Sequence, residues 1–409
     1  MRENRIRRWL IAGAIFIVAA IPAFASGFSI YEQDAKASAQ AGAWTARASN
    51  AAANWYNPAA LVRQESSFQI GVNAITLGAD TTFTSGIPLP GAPAGTEFNP
   101  ESSIATPVHL YYVQKVNDRV AWGFGINTPF GLTTEWTTPP ITFAARKSEL
   151  ATVVFNPNVS LAFDEHFSLG FGINYMYADL THFSRDVTTP ALGTQDLTGT
   201  GTDWGLNLAL HYDDENFKFG ISWRMGLSPT IEGDLTFNGT RVDGGKADLD
   251  LPDQIAAGLA YTRPEKWDLE LDVSWARWST FQALDLQFDN LPPESVKENW
   301  DDTYAIRLGG SYDLGQRHEI RYGVLRDMNP IPDETLRPSI PDADRWSGTV
   351  GYGYIGSKVD IDFYYMALIF DDRTLEPSLA LEPGAIPGEY TNFSHLLGVT
   401  FGWRFGGGS

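Results

Sequence analysis

The chain has no cysteine in 409 residues. That excludes disulfide staples and thiolate metal sites, so stability must come from backbone pairing and packing. Its six histidines (His109, His166, His182, His211, His318 and His395) are scattered, with no H-x-x-x-H spacing. No metal site and no cofactor is therefore expected. There is no G-x-S-x-G element, and the one local grouping of His182, Ser184 and Asp186 sits at a strand end, so no catalytic residue and no enzyme activity is expected. Positive charge is also scarce: 29 Lys and Arg against 49 Asp and Glu leave a net charge of −20. That balance argues against nucleic acid as a partner and against docking on anionic lipid through a basic patch. Finally, beyond residue 25 no run approaches the ~18 apolar residues of a spanning helix.

The N-terminus is built differently from the rest. Arg2, Arg5, Arg7 and Arg8 precede an apolar core from Leu10 to Ala20, and Ala23-Phe24-Ala25 forms an A-x-A site. Residues 1–25 read as a cleaved secretory signal peptide. The leader carries +3, which leaves −23 on the remainder. Residues 35–61 then form an Ala-rich stretch that is locally the best helix former in the exported chain. It ends at Asn57-Pro58-Ala59, where Pro58 lacks an N–H and pushes Asn57 out of helical geometry. Residues 26–66 are expected to be a small, mostly helical plug; the alternative is a helix packed outside an all-β domain.

From residue 67 the signal is period two. Trp267, Leu269, Leu271, Val273 and Trp275 alternate with Asp268, Glu270, Asp272 and Ser274. Leu397, Val399, Phe401, Trp403 and Phe405 alternate with Gly398, Thr400, Gly402 and Arg404. One face is apolar with aromatic ends; the other is polar or small. In water this is a half-buried sheet, and in lipid it is a barrel wall with its polar face inward. Such runs predict about fourteen strands, near 67–83, 104–116, 119–128, 149–163, 166–185, 203–213, 216–237, 246–262, 266–288, 300–313, 318–327, 345–356, 359–371 and 393–405. The connections alternate long and short. Short ones such as Asn117-Asp118, Asp164-Glu165 and Gly315-Gln316 carry tight-turn residues, and the Pro- and Gly-rich 84–103 stretch reads as a flexible cap. Loops sorted by length onto two rims, with 13% aromatic residues, point to an outer-membrane barrel. The expected fold is all-β: a 14-stranded antiparallel transmembrane β-barrel over 67–405, with 406–409 a native tail or a cloning scar.

Several blocks resemble the FadL/TodX (OMPP1) family of outer-membrane transporters for long-chain fatty acids and other hydrophobic compounds. They are SGFSIYEQ from Ser26, NPA at 57–59, NTPFGLTTEW at 127–136, WARWSTFQAL at 275–284, WDDTYAIRLGGSYDL at 300–314 and SIPDADRWSGTVGYGY at 339–354. The resemblance runs from Ser26 to Phe405. It implies a barrel closed by an N-terminal hatch, with Asn57, Pro58 and Ala59 as a gate near the ligand pocket. It also implies capture at extracellular loops, a lumenal apolar pocket, and lateral exit at a kinked third strand. Thr128, Pro129, Phe130 and Gly131 fit that kink. Independently of the family, Pro129 cannot donate to a ladder and Gly131 tolerates a bend, so pairing is expected to fail there; otherwise Pro129 simply starts the 129–148 loop.

Aligned on fatty-acid members, Asp179 and Asp301 fall where basic, carboxylate-holding residues would sit. That favours neutral lipophiles, with Arg185, Arg307, Arg224 and Lys297 as nearby cations that could substitute. The remaining expectations are passive uptake across the outer membrane of a Gram-negative bacterium, and a monomer. Its partners would be a hydrophobic small-molecule ligand, outer-membrane lipid and lipopolysaccharide, and the barrel-assembly machinery. A general water-filled porin and an adhesin or structural barrel are the alternatives.

Overall fold

The computed structural model describes residues 27–78, 80–188 and 193–405. The leader expected over 1–25 and the tail over 406–409 lie outside the described residues. Fourteen strands pair antiparallel with their sequence neighbours around a ring. They are β1 (Ser67–Leu77), β2 (Val108–Asn117), β3 (Val120–Asn127), β4 (Lys147–Ala162), β5 (Phe167–Val187), β6 (Gly193–Asp213), β7 (Phe217–Arg224), β8 (Gln254–Arg263), β9 (Trp267–Ala276), β10 (Thr303–Gly315), β11 (His318–Asp327), β12 (Arg345–Ile355), β13 (Val359–Phe370) and β14 (Phe393–Arg404). β1 pairs with β14 from Ser67↔Arg404 to Ile75↔Leu396, which closes the ring and removes every wall edge.

Side-chain placement reverses that of a water-soluble sheet. On β9, Leu269, Leu271 and Val273 are exposed while Glu270 and Asp272 are buried. On β5, Phe167, Leu169, Phe171, Ile173, Tyr175 and Tyr177 face outward while Ser168, Asn174 and Met176 are buried. An apolar belt outside and a polar lumen are what lipid selects.

The expected spans need five corrections, all at the long-loop rim; one is that the run expected over 246–262 divides into Thr240–Asp248 and a wall strand starting at Gln254, beyond Pro252. β1 stops at Leu77 because Gly78 turns the chain at φ +72°. The runs expected over 216–237 and 266–288 each divide into a wall strand and a shorter strand beyond it, Thr230–Phe237 and Ala283–Phe288. Pro229 and the Trp278–Thr280 turn mark those breaks. β6 starts at Gly193 rather than 203, because its first half pairs with both β5 and Thr230–Phe237 despite weak alternation. The expected flexible cap is folded: Thr82–Ser85 and Glu97–Phe98 join Arg373–Leu375 and Gly388–Thr391 in a four-stranded sheet.

The Ala-rich stretch is less helical than its composition suggests. It forms α1 (Ala35–Ser38), α2 (Ala53–Tyr56) and a 3₁₀ helix, Pro58–Arg63, joined by turns. Tertiary contacts override propensity here. The amides of Trp44 and Thr45 both donate to Asp272 Oδ2 at 3.0 Å, and those of Ala46 and Arg47 donate to the two oxygens of Glu270. Arg47 also pairs with Glu270 at 2.8 Å and with Asp268. On the other side of the ring, Thr400 accepts the Ala35 amide and Gln69 donates to Asp34, the N-cap of α1. Inward glycines make room: a Cβ at Gly170 would lie 2.4 Å from the Ala59 nitrogen.

Glu270→Ala would leave Arg47 Nε and the buried amides of Ala46 and Arg47 without their acceptor. A loss of about 3–5 kcal/mol is expected, the usual cost of breaking a buried ion pair. It should be read as a lower temperature at which the barrel loses its folded electrophoretic migration. An unchanged midpoint would mean that β9 does not hold the 44–47 turn.

Candidate functional site

The wall is interrupted beside β3. β3 ends at Asn127, and the chain resumes as a strand at Gly131–Glu135, again paired with β4. Asn127 faces Val154 and Gly131 faces Ala151, so four steps on one strand match three on the other. Pro129 brings no donor to this bulge. On the opposite side, β2–β3 pairing ends at Leu110↔Ile126. Beyond it, the Thr128 hydroxyl reaches the Val108 carbonyl at 3.4 Å, and a backbone bond from Glu101 to Glu135 closes the far end. Between them lies a gap in the ladder.

The freed backbone groups are taken by the N-terminal segment. Ile30 N donates to the Pro129 carbonyl at 2.7 Å, and Gly131 N donates to the Phe28 carbonyl at 3.1 Å, with Ser29 bridged to Phe130. Residues 28–30 thus add one short strand rung to the interrupted wall.

A cavity of about 420 Å³ lies behind the gap, lined by Phe28, Glu32, Val108, Phe130, Gly131 and Leu150 among others. Phe28, Leu132 and Leu150 also line a second, strongly apolar cavity of about 100 Å³, which includes Leu180, Leu197 and Ile231. That cavity shares Phe183, Leu197 and Arg337 with a groove of about 340 Å³ among the long loops. The three spaces run in series from the loop rim to the wall gap. Phe28 stands between the inner two, with edge-to-face contacts to Phe130 (6.1 Å), Trp278 (5.1 Å) and Trp300 (5.7 Å).

Phe28 is held from its N-terminal side. Gly27 N donates to Asp342 Oδ2 at 3.0 Å. Gly27 has φ +62°, and a Cβ there would meet Trp300 at 2.6 Å, so both backbone and space require glycine. Burial pushes the Asp342 carboxyl up to about 6, against the opposing pull of Arg345. Arg373 reaches the Asp342 carbonyl at 3.1 Å, which ties the clamp to the neighbouring long loop. At the neck between groove and apolar cavity, burial raises Glu298 to about 7 although Arg337 pairs with it at 2.9 Å.

A family model for outer membrane protein transport proteins (OMPP1/FadL/TodX) matches residues 16–405. The chain belongs to the FadL/TodX family. Members are transport channels, not enzymes. A Neisseria meningitidis serogroup B chain is 26% identical over 463 residues, covering 97% of this chain and 98% of its own length. The long-chain fatty acid transport protein of Escherichia coli K12 is 24% identical over 73% of this chain and 76% of its own. Among solved structures, a Pseudomonas aeruginosa FadL homologue superposes with a TM-score of 0.81 at 20% identity, covering 93% of this chain and all of that one. The Pseudomonas putida toluene transporter TodX gives 0.69 at 14% identity, covering 94% and 99%. At these identities the structures establish the shared fold.

Within the FadL/TodX frame, the expected site residues separate. Thr128, Phe130 and Gly131 line the large cavity, and Pro129 bonds the N-terminal segment. Asn57, Pro58 and Ala59 do not line it, which corrects the expectation of a gate near the pocket. Asn57 is fully buried towards the short-turn rim, donating to the carbonyls of Thr45 (2.8 Å) and Leu210 (3.2 Å) and capping the 3₁₀ helix through Ala59 N. Asp179 shares the outward face of Tyr175 and Tyr177, so it is not a lumenal charge. Its parity with those tyrosines was visible in the sequence. Asp301 is exposed at the rim. Arg185 pairs with Glu294 at 3.1 Å along the outer groove, and Lys297 pairs with Glu382 at 2.8 Å. Arg307 does face the lumen, but in a separate small cavity. His182 bonds Asp196 at 2.7 Å, while Ser184 bonds the backbone of Lys147, so no His-Ser-Asp relay forms.

Gly27, Phe28 and Asp342 were missed as site residues. They stand inside the SGFSIYEQ and SIPDADRW blocks, but their contact spans 315 positions. Between about pH 4 and pH 6 the folded protein keeps Asp342 protonated longer than the unfolded chain does. The stability Asp342 contributes is therefore full at the acid end and falls as pH rises through about 6. Asp342→Asn cannot titrate. Its unfolding midpoint should decline less steeply than the wild type's across that window; parallel curves would mean that Asp342 is not buried at the Gly27 clamp.

Proposed function

We propose that this protein is a passive outer-membrane channel for hydrophobic molecules with a lateral exit. A lipophile enters the loop groove, crosses the apolar cavity and reaches the large cavity behind β3. It then leaves through the gap at Thr128–Gly131 into the bilayer. Residues 27–66 act as the hatch: the body over 34–63 blocks the lumen, and the Gly27–Phe28 end moves to join the two inner cavities. The observation carrying this reading is that the cavity of about 420 Å³ is bounded by the interrupted stretch of wall at Thr128–Gly131. Transfer is favourable because each CH₂ kept from water is worth ~0.8 kcal/mol. No energy source is needed where an affinity gradient leads inward.

The substrate class we infer is neutral lipophiles. Asp179 faces outward and Asp301 is exposed at the rim, so neither repels a carboxylate in the lumen. Better support comes from the cations along the route. Arg185, Lys297, Arg337 and Arg345 each have a carboxylate partner, with Glu294, Glu382, Glu298 and Asp327. A carboxylate ligand would have to displace one of these. Relatives named for long-chain fatty acid transport and for toluene transport bracket the two possibilities. The filled lumen weighs against a general porin. The 1–25 leader is read as cleaved.

The test is uptake by cells lacking other routes, comparing a neutral aromatic hydrocarbon with a long-chain fatty acid. Gly131→Phe should cut hydrocarbon uptake at least tenfold, because its side chain starts 2.9 Å from Ile30 and fills the gap. Folded migration of the variant should be unchanged. Full uptake by an assembled variant would refute the lateral exit. Ion conduction through reconstituted protein without lipophile binding would favour the porin.

A further inference from the structure

A fourth cavity lies between the N-terminal segment and strands β7 to β10, with a volume of about 80 Å³. It touches neither Phe28 nor the wall gap, and it is too small for a lipophilic tail. Two guanidinium groups line it. Arg224, on β7, stacks on Trp55 at 3.8 Å, donates to the Trp55 carbonyl at 3.0 Å and bonds Asn174. Arg307, on β10, stacks on Tyr31 at 4.5 Å and donates to the Ser274 hydroxyl at 2.6 Å. Neither makes an ion pair among the described residues. Arg307 is only 5% exposed, and its Nη2 has no hydrogen-bond partner.

The rest of the lining is rich in hydroxyl and amide groups, with Thr45, Ser222, Gln254 and Ser274. Its one carboxylate is Asp272. Asp272 Oδ2 is already taken by the amides of Trp44 and Thr45. Glu32, which lines the large cavity, also attracts Arg307. Two cations thus line a small polar space with one carboxylate, whose Oδ1, like Arg307 Nη2, has no hydrogen-bond partner. Buried polar groups left without partners are unfavourable, and a polar cavity of this size does not stay empty.

We propose that this cavity binds one small monovalent anion, of halide or formate size, bridging Arg224 and Arg307. The anion comes from solvent and is not the carboxylate of a transported molecule. It neutralises the two wall cations and fastens residues 31–56 to β7 and β10.

The test uses the full-length protein in detergent. Crystals grown in millimolar bromide should show an anomalous peak between the two guanidinium groups. Formate should displace it, and a long-chain fatty acid should not. At matched ionic strength, the unfolding midpoint should rise saturably with bromide over the bulky anion gluconate, by mass action. Arg307→Gln should abolish that rise, and Arg224→Gln serves should the first variant not assemble. A site holding only water, bromide bound only at molar concentration, displacement by the fatty acid, or a rise that survives both substitutions would overturn the proposal.

Discussion

In the hydrocarbon core of a membrane a backbone N–H or C=O cannot turn to water for a partner. Closure of the ring through β1 and β14 answers that demand along most of the wall but not at Thr128–Gly131. There, the missing donor of Pro129 and the extra residue of the bulge leave groups that β2 cannot reach. Residues 28–30 supply the partners from inside. The same two backbone bonds that satisfy the wall place Phe28 between the two apolar cavities and bring Gly27 against Asp342. The geometry of the gap, the position of the aromatic wedge and the clamp on it are one coupled arrangement. Moving Phe28 also exposes the broken ladder.

The polar lumen follows from the same requirement, seen from the other face. Strands that turn leucine and tryptophan outward must turn their alternate residues inward. On β9 these are Asp268, Glu270 and Asp272, three acids that would repel one another in an empty tube. Four consecutive amides of the N-terminal segment, Trp44 to Arg47, and the Arg47 guanidinium satisfy two of them directly. The segment is therefore organised by the wall rather than by its own helix propensity. This explains why an Ala-rich run forms two four-residue helices and a string of turns. The inward glycines fit the same account, since Gly170 lets Pro58 and Ala59 approach the wall at backbone distance.

The parts of the site that could be read in advance were those with a local cause. Pro129 and Gly131 announce failed pairing by their own chemistry, and the structure places the bulge between Asn127 and Gly131. The charge assignments failed for a different reason. Alignment on fatty-acid members puts Asp179 and Asp301 in the lumen, whereas Asp179 lies on the outward face of its strand and Asp301 in the loop before β10. Tyr175 and Tyr177 already showed that Asp179 points out. The motif places Asn57 near a pocket, whereas its carboxamide is consumed in capping the 3₁₀ helix and in bonds to Thr45 and Leu210. Phe28 and Asp342 carried no local sign of their joint role.

The amino-acid sequence alone determined the barrel. Period-two alternation, sorted loop lengths, the absence of cysteine and the lack of a spanning helix are local properties, and each follows from how one strand meets lipid on one side and a polar lumen on the other. Only the tertiary structure decided what fills the gap, which cavities connect and which charges are spent. Those depend on contacts between residues 18 to 315 positions apart, such as Arg345 with Asp327 and Gly27 with Asp342. No periodicity encodes such contacts, because they exist only once the ring has closed around the N-terminal segment.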